Sequence, residues 1–429
     1  MEASTAQIIV SCAIFIVVYA LIVWDKFDRT VIAVAGAALI LLFKFLTQAQ
    51  AFAAVDFNTI GLLISMMVMV MITKKSGVFE YLAVKTVKIA KGNPVIIIIL
   101  MSVLTGVISA FLDNVTTILL VLPVTFSVTK DLKINPVPFV IAEVFASNIG
   151  GTATLIGDPP NIMIGSAAGF TFMDFLKYNT GVIAVTLVVT TIIFAWIYRK
   201  GLNAKPEDKA KVLQMDEKAC IKDRNLLVKS LIVLGLTIVG FLLHGTFHYE
   251  SATVAIIGAV VLLAVTQFQV STEKILQEVE WKTIFFFVGL FIIVGSLKEA
   301  GVISILAQKA IEMTQGNPFA TIMAIFWFSA IASAFIDNIP YAATMIPLIQ
   351  NIGTMTTIPL TPLWIALSLG ACLGGNGTII GASANVVASG MSEEMGYKIK
   401  FGYWLKICFP VMIVSAIISA VYLIIFYLR

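Results

Sequence analysis

The stretch GVISAFLDNVTT at residues 106–117 sets an aspartate and an asparagine in the middle of apolar sequence, and a close copy, IASAFIDNIPYA, stands at residues 331–342. The two aspartates, Asp113 and Asp337, are 337 − 113 = 224 residues apart. The same offset carries Gly77 onto Gly301, Gly92-Asn93-Pro94 onto Gly316-Asn317-Pro318, and Pro123 onto Pro347. Downstream it carries Gly150-Gly151, Thr154, Gly157 and Asn161 onto Gly374-Gly375, Thr378, Gly381 and Asn385. A fixed register held through so many Gly, Pro, Asn and Asp positions is an internal duplication with one polar centre in each half.

The sequence around these centres is that of a polytopic membrane protein. Hydrophobic residues make up 59% of the chain, charged residues 12%, and the mean hydropathy is +1.01, a balance that excludes a soluble domain. Apolar runs of membrane-spanning length occupy residues 7–24, 30–45, 59–73, 180–198, 226–244, 251–268, 283–297 and 405–428. None alternates with a period of two, so the expected class is all-α rather than a barrel. The first run follows an uncharged-to-acidic leader, Met1-Glu2-Ala3, and reads as a retained span rather than a signal peptide. The four cysteines are far apart and predict neither a disulfide framework nor a zinc site. No nucleotide-binding GxxxxGK[ST] motif occurs, which argues against an ATP-driven pump in this chain. The Gly-x-Gly-Asp signature of an intramembrane aspartyl protease is also missing, and no organic cofactor or nucleic-acid partner is expected.

The most charged segment, 199–225, reads as a linker between a first repeat at 1–198 and a second at 226–429. Each half has three spans, an amphipathic stretch, an apolar hairpin with Asp-Asn at its turn, a broken span and a last span. If each hairpin returns to its own side, each half crosses five times, giving about ten spans plus two re-entrant hairpins and an inverted second half. Of the 28 Lys and Arg residues, only Lys44, Lys177, Lys298, Lys309 and Arg429 then fall on the side opposite the linker. The positive-inside rule therefore predicts a cytoplasmic linker, both termini outside, and a cell-membrane location.

An ionised aspartate in hydrocarbon costs several kcal/mol and persists only beside a cation, a proton or water. Asp113 with Asn114, and Asp337 with Asn338, are thus expected cation positions for Na⁺ or a proton, with Thr116 adding a hydroxyl in the first half. The alternative is that each aspartate caps the second arm of its hairpin. The second polar element is NIGGTATLIGDPPN at 148–161, matched by CLGGNGTIIGASAN at 372–385. Paired glycines and Pro159-Pro160 break a helix at mid-membrane and expose carbonyls. Gly150, Gly151, Thr152, Thr154, Gly157, Asp158 and Asn161 in one half are expected to line an ion or substrate site. Gly374, Gly375, Asn376, Thr378, Gly381 and Asn385 are their counterparts in the other. Tight helix packing is the competing reading of the glycines. The halves differ at Asp158 against Ala382, Thr152 against Asn376, Asn148 against Cys372 and Glu143 against Leu367. Asp158 reads as a coupling carboxylate or a helix cap, and Glu143 as a proton group or an interfacial residue. Cys372 reads as a small packed residue, and His244 and His248 as surface histidines at the end of a span.

The segments FLDNVTTILLVLPVT, SNIGGTATLIGDPPN, FIDNIPYAATMIPL and LGACLGGNGTIIGASANVV resemble the signature segments of the ion transporter superfamily. The resemblance, which covers the chain from Asp25 to its end, is to the branch of the arsenite permeases, the NhaD-type sodium/proton antiporters and the melanosomal P protein, with a citrate transporter-like fold. It implies a dimerising scaffold and a transport domain of two hairpins and two broken helices that moves as an elevator. It also implies ion sites between each hairpin tip and the neighbouring break. Dicarboxylate carriers of the superfamily have Ser-Asn-Thr at the tips, where this chain has Asp-Asn-Val and Asp-Asn-Ile, and two tip carboxylates repel a di- or tricarboxylate. The expected function is therefore cation-coupled exchange of a small inorganic ion, of the Na⁺/H⁺ antiport or arsenite/antimonite efflux type. An anion conductance of the chloride kind is the alternative.

Overall fold

The computed structural model describes residues 5–24 and 26–428, and these residues form helices and no strands. The outward termini expected at Glu2 and Arg429 lie outside them. The duplication is written into the helix starts. Helices beginning at Gln48, Phe57, Val78, Pro94, Asn114 and Pro159 recur at Thr272, Trp281, Val302, Pro318, Asn338 and Ser383, each 224 residues later. Local geometry repeats as well. Gly77 (φ 83°) and Gly301 (φ 77°) both enter their amphipathic helices from the left-handed region, which an L side chain resists.

The helices sort into two bodies. The scaffold crosses the halves: Arg29–Leu42 lies along Trp281–Glu299, and Phe57–Lys75 lies along Ser251–Thr266, with Thr5–Trp24 and Arg224–Leu243 outside them. The backbones approach closely where small residues allow it; a Cβ on Gly289 would sit 2.7 Å from the carbonyl carbon of Ala33. The second, hairpin body holds hairpin one (Pro94–Ser109 and Asn114–Asp131) and hairpin two (Pro318–Phe335 and Asn338–Met355). It also holds two broken helices, Val137–Gly151 with Pro159–Ala168 and Leu360–Gly374 with Ser383–Glu394, and is flanked by Gly181–Tyr198 and Phe401–Tyr427. Six of the described helical segments are long and apolar enough to cross a membrane alone, and the other crossings use shorter or interrupted helices.

Contacts between chain ends show that the repeats are inverted. Lys222 N–H donates to Ser76 O (3.0 Å), Lys133 pairs with Asp208 (3.5 Å), and Lys75 pairs with Glu278 (2.6 Å), so these ends share one face with the linker. On the other face Asn58 Nδ2 donates to Ser166 Oγ (3.3 Å), Gln50 reaches Glu299 (3.5 Å), and Ser304 Oγ donates to Asn351 Oδ1 (2.9 Å). Hairpin one therefore opens on the linker face and hairpin two on the opposite one. On that opposite face the structure corrects the reading of His244 as a surface residue. His244 is buried; its Nε2 accepts Phe172 N–H (3.2 Å) and its Nδ1 lies 2.8 Å from Tyr249 O. A proton on Nδ1 satisfies both bonds, so the ring closes a turn between two spans.

Ion pairs clamp the linker to neighbouring helix ends: Asp208 pairs with Lys133, just past hairpin one (3.5 Å), and Glu217 pairs with Lys88 of the amphipathic helix Val78–Ile89. A hydrogen bond from Lys211 holds the Asp208 carboxyl below the usual carboxylate range, and one from Lys88 does the same for Glu217. A lowered folded value means that the contribution is present at neutral pH and is lost as the pH falls through that value. Protease cleavage within 205–222 is accordingly expected to stay slow at neutral pH and to rise once the pH drops below the carboxylate range. Cleavage that does not change with pH would show that these pairs do not hold the linker.

Candidate functional site

At each hairpin tip the aspartate is the N-cap of the returning arm. Asp113 Oδ1 accepts Thr116 N–H (2.9 Å) and Asp337 Oδ1 accepts Ile339 N–H (3.1 Å). Capping uses one oxygen of each carboxylate and leaves the other for further chemistry. The hydroxyls of Thr116 and Thr117, buried just behind the first tip, have no hydrogen-bond partner among the described residues.

The glycine breaks are built against the hairpins. A Cβ on Gly150 would overlap the backbone of Gly106, and one on Gly374 would overlap that of Ala330. Gly157 and Gly381 repeat the pattern, with a Cβ 2.5 Å from Ser109 O and 2.8 Å from Ser333 O. Thr154 and Thr378 donate their hydroxyls to Ala110 O and Ala334 O of their own hairpins. Helix interruption frees carbonyls that lipid cannot satisfy, and asparagines satisfy them. Asn161 Nδ2 donates to Thr152 O (3.1 Å) and Thr154 O (2.9 Å), and Asn385 Nδ2 to Gly375 O and Thr378 O (2.8 Å each). The packing reading of the glycines therefore has a geometric basis. It also brings each tip to its own break, as Asn114 Nδ2 donates to Asn148 Oδ1 (3.0 Å) in the first half and Ser383 Oγ donates to Asp337 Oδ2 (2.7 Å) in the second.

The halves are joined at the centre by amides. Asn148 Nδ2 donates to Asn376 Oδ1 (2.9 Å) and Asn385 Oδ1 (2.8 Å), and Ser368 Oγ donates to Asn161 Oδ1 (2.6 Å). Asp158 does not cap its half-helix. Pro159 and Pro160 at the first helical positions have no N–H to offer, and both Asp158 oxygens instead accept from Asn338 Nδ2 of hairpin two (3.3 and 3.2 Å). Glu143 is not interfacial: it is wholly buried, with Thr125 Oγ1 2.9 Å from each carboxylate oxygen. Cys372 is fully buried, its Sγ 3.6 Å from Asn161 Oδ1.

A cavity of about 610 Å³ lies between the two bodies. Of the residues that the sequence singles out, Asp113, Asn114, Asp158 and Asn338 line it, and the glycines and hydroxyls of the breaks lie behind them. Its rim at 27–30 and 279–283 follows directly on Glu278, so it opens towards the linker face. Among the lining residues that escape the sequence reading are Arg29, Glu280 and Lys282 of the scaffold, and Ser383 of the second break. Arg29 Nη1 donates to Asp337 Oδ2 (3.1 Å) and to Ser383 Oγ (2.6 Å), while Lys282 pairs with Asp28 (3.0 Å). Both cations are thus occupied. Asp113, Asp158 and Glu280 have no ion-pair partner among the described residues, and Asp158 lies within electrostatic reach of both tip aspartates. No cluster of three His, Cys, Asp or Glu side chains suited to a transition metal occurs among the described residues.

The profile of the citrate transporter family, CitMHS, matches residues 19–370. The chain belongs to this family. Members of the citrate transporter family are membrane transport proteins, so this chain is a membrane transporter and not an enzyme. Its relatives include a 46 kDa membrane protein of Mycobacterium leprae, 39% identical over 97% of this chain and 98% of the relative. An uncharacterized transporter of Mycobacterium tuberculosis is 41% identical over 97% of each chain. The human P protein is 34% identical over 98% of this chain and 60% of its own length. In fold, this citrate transporter family member is similar to the YdaH transporter of Alcanivorax borkumensis, with a TM-score of 0.60 at 12% identity over 97% of each chain. The resemblance read from the hairpin and break segments is therefore to the right family.

Proposed function

We propose that the protein is a secondary active transporter of the elevator type, in which the hairpin body carries a small inorganic ion past the scaffold in exchange for Na⁺ or H⁺. The observation that supports this reading is the charge of the cavity: Asp113 and Asp158 open into it unpaired, while Arg29 and Lys282 are already neutralised. Uncompensated carboxylates in a low-dielectric cleft attract a cation or take up a proton, and they repel a di- or tricarboxylate. Na⁺/H⁺ antiport and proton-coupled efflux of arsenous or antimonous acid both fit that charge. Na⁺ would take oxygen ligands from Asp113, Asn114 and the unpartnered Thr116 hydroxyl. The second tip, Asp337 with Asn338, would be a further Na⁺ position. The glycine and threonine carbonyls of the breaks would support both. Inverted repeats supply the two symmetry-related states that alternating access requires.

The test is flux into proteoliposomes under an imposed pH gradient, with Na⁺, Li⁺, arsenite, chloride and citrate offered in turn. Gradient-driven movement of Na⁺, Li⁺ or arsenite is the expected result. A chloride current with no proton movement would replace the coupled reading by an anion conductance, for which Arg29 and Lys282 at the cavity rim would be the attracting groups.

The same reading places the protein in the cell membrane as a homodimer joined through its scaffold, where Leu231, Ile232, Leu236, Ile257 and Val260 are exposed. It sets the linker in the cytoplasm and both termini outside. A cysteine in place of Lys209 is expected to react with a membrane-impermeant thiol reagent only in inside-out vesicles. Reaction from the outside of intact cells would reverse the orientation.

A further inference from the structure

The two tip aspartates are equivalent by sequence and unequal in the fold. Asp337 Oδ2 receives Arg29 Nη1 at 3.1 Å and Ser383 Oγ at 2.7 Å. Neither partner has a counterpart at Asp113. With the 224 offset, Ser383 answers to Pro159, which has no hydroxyl, and Arg29 answers to Thr253, which has no charge. Arg29 belongs to the scaffold and Asp337 to the hairpin body, so their contact exists only while the bodies stand as they do here. A second scaffold group holds the same tip: Tyr19 O–H donates to Pro340 O at 2.6 Å.

We propose that Arg29 is a tethered counter-cation for hairpin two. Its guanidinium occupies the cation position of Asp337 while the cavity faces the linker side, leaving the cavity one open cation position, at Asp113 and Asp158, instead of two. The proposal rests on the elevator reading above. Three features support it. Arg29 is held at the cavity rim, its guanidinium carbon 5.9 Å from the centre of the Phe286 ring. Asp337 is 9% exposed, and Arg29 is its one ion-pair partner among the described residues, so removing Arg29 would leave a nearly buried carboxylate unpaired, a cost that falls on this state alone. Glu280, on the scaffold beside Arg29, stays with it in every position of the hairpin body. Arg29 therefore keeps a carboxylate within reach after Asp337 leaves, and that interaction cancels between states. The ion pair thus biases the equilibrium towards the linker-facing state, and hairpin two can take a free cation only after leaving it.

The experiment reads the state directly. Val387 lines the cavity, and Val387→Cys, in a full-length chain with Cys12→Ser and Cys220→Ser, reports by its rate of thiol labelling from the linker side. Arg29→Ala and Asp337→Asn are each expected to lower the equilibrium constant for the linker-facing state by about tenfold, the scale of one charge-assisted hydrogen bond, and to slow labelling by up to that factor. Free guanidinium ion is expected to restore the Arg29→Ala variant and to leave Asp337→Asn unchanged. Arg29→Lys, which keeps a cation on the scaffold and leaves the Asp337 cap intact, is expected to restore labelling in part. Unchanged labelling in both Arg29→Ala and Asp337→Asn would overturn the proposal. So would failure of both guanidinium and Arg29→Lys to restore it, in protein that remains monodisperse. The coupled-transport reading is judged separately by ion flux: loss of labelling control with intact gradient-driven flux removes only the role of Arg29, and the reverse pattern removes only the coupling.

Discussion

Asp113→Asn and Asp158→Asn are each expected to abolish gradient-driven flux while leaving the protein folded. Asn keeps a side-chain oxygen at the right position, so it can still cap Thr116 N–H in the first case and accept from Asn338 Nδ2 in the second. What it loses is the charge that the open cavity presents. An interaction with a charged group of roughly 3 kcal/mol corresponds to a loss of about 100-fold in affinity for the coupling cation. Flux in proteoliposomes, normalised to monodisperse protein, is the measurement. Wild-type flux in both variants would remove the coupled-exchange reading and leave the anion conductance in front. Asp337→Asn should differ in kind, because Asp337 faces an arginine in this state where Asp113 faces the open cavity. Its first effect is on which way the cavity faces, and Ala382, the counterpart of Asp158, has no charge to lose.

Much of this was legible in the chain because a repeat register is a one-dimensional signal. The 224-residue offset locates both hairpins and both breaks without any knowledge of contacts, since each element carries its own Gly, Pro and Asp markers, and the odd crossing count with the Lys and Arg asymmetry supplies the inversion. The offset pairs equivalents, however, and the inverted halves meet through residues that are not equivalent. Asn148 bonds to Asn376 and Asn385, whereas by offset it answers to Cys372. Asp158 bonds to Asn338 of the other hairpin, a contact that no local pattern encodes. Arg29 was hidden for a different reason. In sequence it follows Asp28 and precedes an apolar run, so it reads as one more cation flanking a span. Only the approach of hairpin two to that helix end turns it into a partner for a buried carboxylate. His244 was misplaced because a histidine at a span end gives no sign that the chain at Phe172 will fold over it.

The glycine breaks decide how far packing and ion binding can be separated. Gly150→Ala and Gly374→Ala are expected to be among the most damaging single substitutions in the chain. In each the new Cβ meets backbone of the partner arm, Gly106 in the first half and Ala330 in the second, and backbone cannot turn aside as a side chain can. Relief requires the broken helix to separate from its hairpin, which also loosens the threonine latch to Ala110 or Ala334. Overpacking of a well-fitted core costs about 1–3 kcal/mol, and a clash with fixed backbone belongs at the upper end or beyond. Gly390→Ala is the control. Nothing lies within 4 Å of a Cβ there, inside Ser383–Glu394 and away from the proposed dimer face, so alanine should stabilise by up to about 1 kcal/mol through helix propensity. Thermal stability and monodisperse yield in detergent measure both. Alanine at 150 leaves every carbonyl of the break in place, so a variant that kept wild-type stability while losing flux would mean that these glycines serve the transported ion through their backbone. Loss of stability together with flux means that they serve it by letting the hairpin tip reach the break, and on this geometry that is the expected outcome.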